Sequence, residues 1–285
     1  METPAEIFAT CCIRPLVLLM MIIDNIEIIT SRANERVKKA VAVRKSARDR
    51  KRTGLFFLEG ARLCADAAKC NTDIDTMFFS DKAFEKYGAE IEETAEKSRS
   101  VYRISQELCD FLSETESPQG VFCVCRMSEK TATLPLADKK YIALDDVQNP
   151  DNLGAVARTA EALGIDGMIV YAGCDIYNPK AQRAAMGSLL RLPVIRTDDL
   201  CSLLSYCGSI GLKTYASTPD SSAEKITRTD FSGGVVCVIG NEGSGIRKPV
   251  LDVCEKMITI PMKGRAESLN AAAAASVLLW EMVRE

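Results

Sequence analysis

Residues Tyr141 to Asp166 read YIALDDVQNPDNLGAVARTAEALGID. Tyr141–Leu144 is apolar throughout, Asn149-Pro150-Asp151-Asn152 has the composition of a turn with a helix cap, and Leu153 to Leu163 repeats apolar residues at helical spacing. A strand leading straight into a helix is half of a βαβ unit. Similar apolar runs lie downstream at Gly167–Tyr171, Val194–Arg196, Lys213–Ala216, Val235–Ile239 and Met257–Ile260. Strands apolar at successive positions are buried on both faces. With the helical segments between them they predict an α/β fold with a mostly parallel sheet and helices on both faces, over residues 141–285. Ligands of such sheets sit at the carboxyl ends of the strands. Taken locally, Asn152 reads as a cap and Arg158 as a surface charge near that edge.

Two more segments put unusual residues at strand ends. Val235 to Ile246, VVCVIGNEGSGI, runs from a buried strand into Gly240, Gly243 and Gly245, where a backbone can turn sharply and present its amides to a ligand. It has neither the GxGxxG spacing of a dinucleotide site nor the GK[ST] of a P-loop. A nucleotide phosphate is therefore not its natural guest, whereas an adenosine without phosphates is compatible. Ile258 to Glu285, ITIPMKGRAESLNAAAAASVLLWEMVRE, gives strand, loop and alanine-rich helix. Ser268 is placed to cap that helix, and Asn270 stands inside it as a polar amide where packing prefers alanine.

Upstream, Met127 to Lys140 (MSEKTATLPLADKK) is polar, contains Pro135 and lacks periodicity, which predicts a linker over 127–140. Residues 25–126 alternate helical and strand patterns and form a smaller α/β domain. Its helices are expected over Asn34–Arg48, Arg62–Lys69, Lys82–Lys97 and Gln106–Leu112, and its strands at Leu55–Leu58, Thr76–Phe79, Val101–Ile104 and Val121–Val124. Residues 1–24 are expected to be an N-terminal extension. Its apolar run Pro15–Ile23 is too short to span a membrane, and Met20 and Met21 stand just before a normal domain start. An over-extended start or loose tail is preferred to a targeting segment.

The chain of 285 residues is 47% hydrophobic and 26% charged, a globular composition with length enough for two domains. The net charge of −3 does not by itself suggest a polyanionic partner. Its distribution does. Between Ser31 and Arg52 stand Arg32, Arg36, Lys38, Lys39, Arg44, Lys45, Arg48, Arg50, Lys51 and Arg52, against Glu35 and Asp49. Such an excess suits phosphate contacts, with a solvated helix face as the alternative. The 12 cysteines include no CxxC pair and there is no histidine, which fits neither a zinc site nor a disulfide framework. They read as reduced core thiols of a cytoplasmic protein. The absence of histidine also removes Ser-His-Asp and Cys-His hydrolases and histidine-ligated metals, and no metal is expected.

The three strand-end segments, in this order, resemble the three motifs of the SpoU (TrmH-like) RNA 2′-O-ribose methyltransferases of the SPOUT class. Asn178 to Val194, NPKAQRAAMGSLLRLPV, is similar to the family's segment after the second strand, and EGARLCADAA (Glu59–Ala68) with the basic helix resembles the L30e-like RNA-binding domain of many members. The chain departs at Ala185, often serine, and at Ala271, commonly valine. The resemblance implies a C-terminal trefoil knot holding S-adenosyl-L-methionine by groups around Ile239, Gly240, Asn241, Gly243, Ile260, Met262, Ser268 and Leu269. Asn152, Arg158, Glu242, Ser268 and Asn270 would be the catalytic set, and Arg36, Lys38, Lys39, Arg44, Lys45 and Arg48 would hold RNA. The implied substrate is a ribose 2′-hydroxyl in structured RNA, rRNA before tRNA, and the implied assembly is a homodimer through the catalytic domain. Arg158 is the family's usual base candidate, yet a guanidinium stays protonated to a pKa above about 12, which favours a charge-stabilising or phosphate-binding role. An inactive RNA-binding assembly factor would be favoured by loss of Asn152, Arg158, Glu242 or Asn270, and all four are present. A nucleotide-dependent oxidoreductase would need the missing GxGxxG.

Overall fold

The computed structural model describes residues 26–127 and 134–284. The expected extension over 1–24 lies outside the described residues, as does the middle of the expected linker, residues 128–133.

The N-terminal half is a five-stranded sheet in the order β1-β4-β3-β5-β2. Its strands are β1 (Ile28–Ile29), β2 (Leu55–Glu59), β3 (Ile74–Ser80), β4 (Val101–Ile104) and β5 (Val121–Arg126). β1, β4 and β3 run parallel, while β5 is antiparallel to both β3 and β2. The helices are α1 (Glu35–Lys45), α2 (Ala47–Thr53), α3 (Ala61–Lys69), α4 (Asp81–Glu96) and α5 (Gln106–Leu112). The basic segment expected as one helix is two. Ser46 ends α1 in an extended conformation and its side chain accepts from Asp49 N, capping α2. Gly54 then ends α2 at φ 66°, a left-handed conformation that glycine adopts without the Cβ penalty.

The C-terminal half is a seven-stranded sheet in the order β10-β12-β9-β11-β6-β7-β8, every pair parallel. Its strands are β6 (Lys140–Asp145), β7 (Gly167–Tyr171), β8 (Val194–Thr197), β9 (Lys213–Ser217), β10 (Glu224–Lys225), β11 (Val235–Gly240) and β12 (Lys256–Thr259). The helices are α6 (Pro150–Ala162), α7 (Pro179–Ala185), α8 (Ser188–Arg191), α9 (Leu200–Ser209), α10 (Lys248–Val253) and α11 (Ala271–Val283). Successive residues of β6 and β11 point to opposite cores. Ile142, Leu144, Cys237 and Ile239 pack with Leu153 and Val156 of α6 and Leu278 and Leu279 of α11. Tyr141, Ala143, Val236 and Val238 pack with Leu200 and Leu204 of α9 and Val250 of α10. Burial on both faces is why these strands are apolar without alternation.

Gly154 sets how closely α6 meets α7. A Cβ there would stand 2.5 Å from the Ala181 carbonyl oxygen and 2.6 Å from Ala184 Cβ. Among the described residues every cysteine is free, and no helix is long and apolar enough to cross a membrane.

Candidate active site

The site forms where the carboxyl ends of β6, β9, β11 and β12 converge. After β6 the chain reaches Asn149, which caps α6 by accepting from Asp151 N at 2.9 Å, followed by Pro150 in the first turn. Asn152 is therefore not the local cap suggested by sequence. It lies inside the first turn, 5% exposed, with its amide turned inward. Asn152 Nδ2 donates to Glu242 Oε1 at 2.8 Å, and Asn152 Oδ1 accepts from Asn270 Nδ2 at 3.0 Å.

Asn270 stands at the start of α11. Its Oδ1 accepts from Ala272 N at 2.9 Å, so Asn270, and not Ser268, caps the helix. The cap's oxygen serves the orphan amides of α11, which leaves its NH2 to face Asn152.

Glu242 closes the arrangement. Its carboxylate accepts from Gln148 N and Asn149 N, both at 3.0 Å, as well as from Asn152, and it faces the N-terminus of α6. Partial burial would raise its pKa, but these donors outweigh burial and hold it below the usual carboxylate range. One ionised carboxylate thus joins the loop after β6 to the loop after β11, and the two asparagines extend the join to α11.

The loop after β11 is tied down at both ends. Asn241 Nδ2 donates to the Asp146 carbonyl at 2.9 Å, and its Oδ1 accepts from Gly243 N and Ser244 N. Asn241 and Gly245 exchange two backbone bonds of 3.0 Å each, closing a tight turn with Gly245 at φ 70°. Farther along, Asp145, fully buried at the end of β6, accepts from Arg247 N at 2.9 Å and Arg247 Nε at 2.7 Å. The Arg247 guanidinium lies 4.0 Å over the Tyr171 ring. Gly240 is demanded by this turn itself, since a Cβ would come within 2.2 Å of Gly245 C.

Between these loops opens a cleft of about 420 Å³. Ile239, Gly240, Asn241 and Gly243 line it from β11, Ile260 and Met262 from the exit of β12, and Ser268 and Leu269 from the approach to α11. Ser217, Thr218 and Pro219 line it too and were missed in the sequence. They follow β9, which lies between β11 and β12, so their loop falls between the two that were identified. The signal available was a strand exit at Ser217-Thr218-Pro219, but sequence order hides its spatial neighbours. The lining carries one carboxylate, Glu242, and no lysine or arginine. That chemistry disfavours phosphates and accommodates a cationic sulfonium.

Arg158 stands apart from the hydrogen-bonded trio. Six residues beyond Asn152 on α6 places it about 9 Å along the axis and about 240° around it. Its side chain is exposed, with no hydrogen-bond or ion-pair partner among the described residues. Within one chain, then, Asn152, Glu242 and Asn270 are joined directly, Ser268 lines the same cleft and Arg158 does not meet them.

The basic segment divides. Lys45 and Arg48 are exposed, Lys38 pairs with Glu35 and Lys39 with Asp75, and Arg36 lies 4.7 Å over the Tyr102 ring. Arg44 is withdrawn from the proposed RNA surface. It is 7% exposed and donates to the carbonyls of Phe111, Leu112 and Ser113, because it falls on the buried face of α1 with Val37 and Ala40. Among the described residues no cluster of three or more His, Cys, Asp or Glu is arranged to hold a metal ion.

A parallel sheet with this cleft and these three linked motifs places the chain in the SpoU rRNA methylase family. That family's model matches residues 139–280, and an MRM3-like substrate binding domain matches residues 34–123. The 23S rRNA (guanosine(2553)-2′-O)-methyltransferase RlmP of Bacillus subtilis (strain 168) is 31% identical over 258 residues, spanning 89% of this chain and 98% of the relative. The 23S rRNA (uridine(2479)-2′-O)-methyltransferase of Streptomyces viridochromogenes is 29% identical over 268 residues, covering 90% and 92%. Among solved structures, the AdoMet-bound rRNA methyltransferase from Sinorhizobium meliloti superposes with a TM-score of 0.80 at 26% identity, covering 90% of this chain and 97% of that one. The SpoU methyltransferase AviRb from Streptomyces viridochromogenes in complex with AdoMet gives 0.76 at 27%, covering 88% and 98%.

Proposed function

We propose that this chain transfers a methyl group from S-adenosyl-L-methionine to a ribose 2′-hydroxyl of ribosomal RNA, in the cytoplasm. The observation that carries the reading is the Glu242–Asn152–Asn270 relay beside a cleft with no cation in its lining. Relatives named as 23S rRNA 2′-O-methyltransferases, matched over nearly their whole length, support the substrate class. The cofactor, when bound, supplies an electrophilic methyl on a sulfonium. Ile239, Ile260 and Leu269 would enclose its apolar parts, while Gly240, Asn241, Gly243, Met262 and Ser268 would present backbone and side-chain polar groups. We also propose that the C-terminal segment is threaded as the family's trefoil knot, and that residues 34–123 act as the RNA-binding unit.

The chain's own contribution is placement and charge. Asn152, with both amide ends engaged, holds Asn270 and Glu242 in one geometry before substrate arrives, which lowers the entropic cost of aligning a ribose. Ser268 orients the ribose from the same cleft. Arg158 acts from the second subunit of a homodimer, where its permanently protonated guanidinium binds the adjacent phosphate and stabilises the developing alkoxide while the hydroxyl proton passes to solvent. The exposed apolar stripe on α11, with Val277 39% and Trp280 59% exposed, is the face on which the subunits meet.

The test is a map of 2′-O-methyl sites in total RNA with and without the gene. Loss of a single rRNA methylation supports the reading. Loss confined to tRNA would move the substrate, and no loss in either would overturn it.

A further inference from the structure

The segment Asn178–Val194, singled out in the sequence, supplies no residue to the cleft. Together with the preceding Asp175, its Arg183 and Arg191 reach the other half of the chain, although Arg191 is also held at 2.8 Å by Glu161 of its own half. Arg183 pairs with Glu59 at 3.3 Å and with Glu114 at 3.2 Å, and Arg191 pairs with Asp66 at 3.4 Å. The shortest tie is Arg50 to Asp175, as buried as the Arg183–Glu59 pair. Arg50 Nε donates to Asp175 Oδ2 at 2.7 Å, and the Arg50 side chain is 3% exposed.

Arg50 belongs to α2 and also donates to the carbonyls of Val43 and Arg44, closing the C-terminal end of α1. On the other side, Asp175 Oδ1 accepts from Tyr177 N, and the Tyr177 ring lies 4.8 Å from that of Phe56 in β2. The neighbouring Cys174 N donates to the Val147 carbonyl at 2.8 Å. The next residues, Gln148 and Asn149, give their amides to Glu242. An unbroken series of short contacts thus runs from α2 to the catalytic carboxylate. Burial, reinforced by Asp175, raises the Cys174 thiol to about 11, with Arg50 opposing and Glu242 and Asp151 adding to the rise, so charges from both halves converge there.

We infer that Arg50 is a specificity-determining positioning residue, which pins the basic helix α2 beside the active-site loop so that RNA phosphates are held at a fixed offset from the ribose. The occupant is a sugar-phosphate backbone. Arg48 and Lys51 on α2 are exposed and have no ion-pair partner among the described residues, the arrangement expected for phosphate contacts. Arg50 acts through its helix and touches neither cofactor nor ribose. The inference rests on the RNA-methylating reading above.

The experiment uses the full chain and rRNA extracted from cells lacking the gene. Three proteins are compared with the wild type: Asp175→Asn, which keeps the shape, Arg50→Lys, and the surface pair Arg48→Gln with Lys51→Gln. Asp175→Asn and Arg50→Lys should keep S-adenosyl-L-methionine affinity within about twofold, lower kcat/KM for RNA about tenfold or more, and spread methylation onto neighbouring nucleotides. The surface pair should lower RNA affinity and flatten its salt dependence while leaving the methylated position unchanged. A single unchanged product position with wild-type kcat/KM in Asp175→Asn would overturn the inference. So would a fall in cofactor affinity parallel to the fall in RNA turnover, since that marks general loosening. Should the wild-type chain methylate no RNA, the functional reading falls separately. Chemical footprinting of the bound rRNA then decides the role of Arg50, and a footprint unmoved by Asp175→Asn counts against it.

Discussion

Asn270 and Asn152 face each other amide to amide, with Asn270 Nδ2 donating to Asn152 Oδ1 at 3.0 Å. Each side chain is also committed elsewhere, Asn270 to the first turn of α11 and Asn152 to Glu242. Neither can rotate without leaving a donor or acceptor of the other two loops unpaired.

Glu242 is the anionic end of that relay. Glu242→Gln replaces one acceptor oxygen by an NH2, which must then confront Asn152 or a backbone amide. Cofactor affinity should fall about tenfold, corresponding to about 1.4 kcal/mol, and isothermal calorimetry reads it directly. Because the native pKa is lowered, the stability that Glu242 contributes is present above its unfolded value, about 4.3, and disappears only as pH falls through the lower native value. Activity between pH 6 and 9 should therefore carry no inflection from this group. A wild-type inflection in that window that Glu242→Gln abolishes would contradict this.

Arg158 is predicted to serve the neighbouring subunit. Arg158→Ala should lower kcat by a factor on the order of a hundred, as loss of one charge-stabilising donor does. Mixing it with inactive Asn270→Ala should restore activity, because one site of the mixed dimer then has both residues intact. No recovery on mixing, with subunit exchange verified by mass spectrometry, would place both residues in one chain's site. Arg158→Lys adds a second reading, since a rate rising steeply with pH would mark a true base.

The α11 stripe is expected to hold the dimer together. Trp280→Asp places a charge on an apolar patch and should give a monomer by light scattering, with RNA turnover lost. A dimer that survives the substitution would put the interface elsewhere.

Arg44 and Arg48 should behave oppositely despite lying four residues apart. Arg44→Gln leaves buried carbonyls of the α5 end unsatisfied and should cost about 1–3 kcal/mol of stability, read as a lower melting temperature. Arg48→Gln should leave the melting temperature alone and reduce the slope of log affinity against log salt by about 0.7–0.9.

What could be read from the sequence was whatever depended on local order. The runs of β6, β7 and β11 are apolar on every residue because both faces are covered, and their positions were legible to within a residue or so. β1 was not, since Ile28–Ile29 has no period of its own and exists through its pairing with β4. Asn270 and Ser268 are both good caps two residues apart, and only the distant Asn152 selects between them. Arg44 shares the buried helical register of Val37 and Ala40, a pattern masked in the sequence by the density of basic residues around it. The cleft-lining loops after β11 and β12 carry glycines or unusual polar residues. Ser217–Pro219 carry neither, and become neighbours only through the sheet order. The sharp turn expected at Gly240 is what excludes a side chain there, since the nearest obstruction to a Cβ is the turn's own backbone. Gly240→Val is accordingly expected to disrupt the turn as well as the cleft.

The Asn152–Asn270 contact spans 118 residues of sequence. On a translating ribosome at about 5–20 residues per second, Asn152 waits roughly 6 to 24 seconds before its counterpart has been polymerised. Until then the sheet can assemble from β6 to β8 while the inward amide of Asn152 lacks one of its partners, a polar defect at the rim of the growing core. Nascent chains are therefore expected to acquire a protease-resistant core well before they gain methyl-donor affinity, and a chain stalled ahead of residue 270 should be folded over much of its length yet biochemically silent.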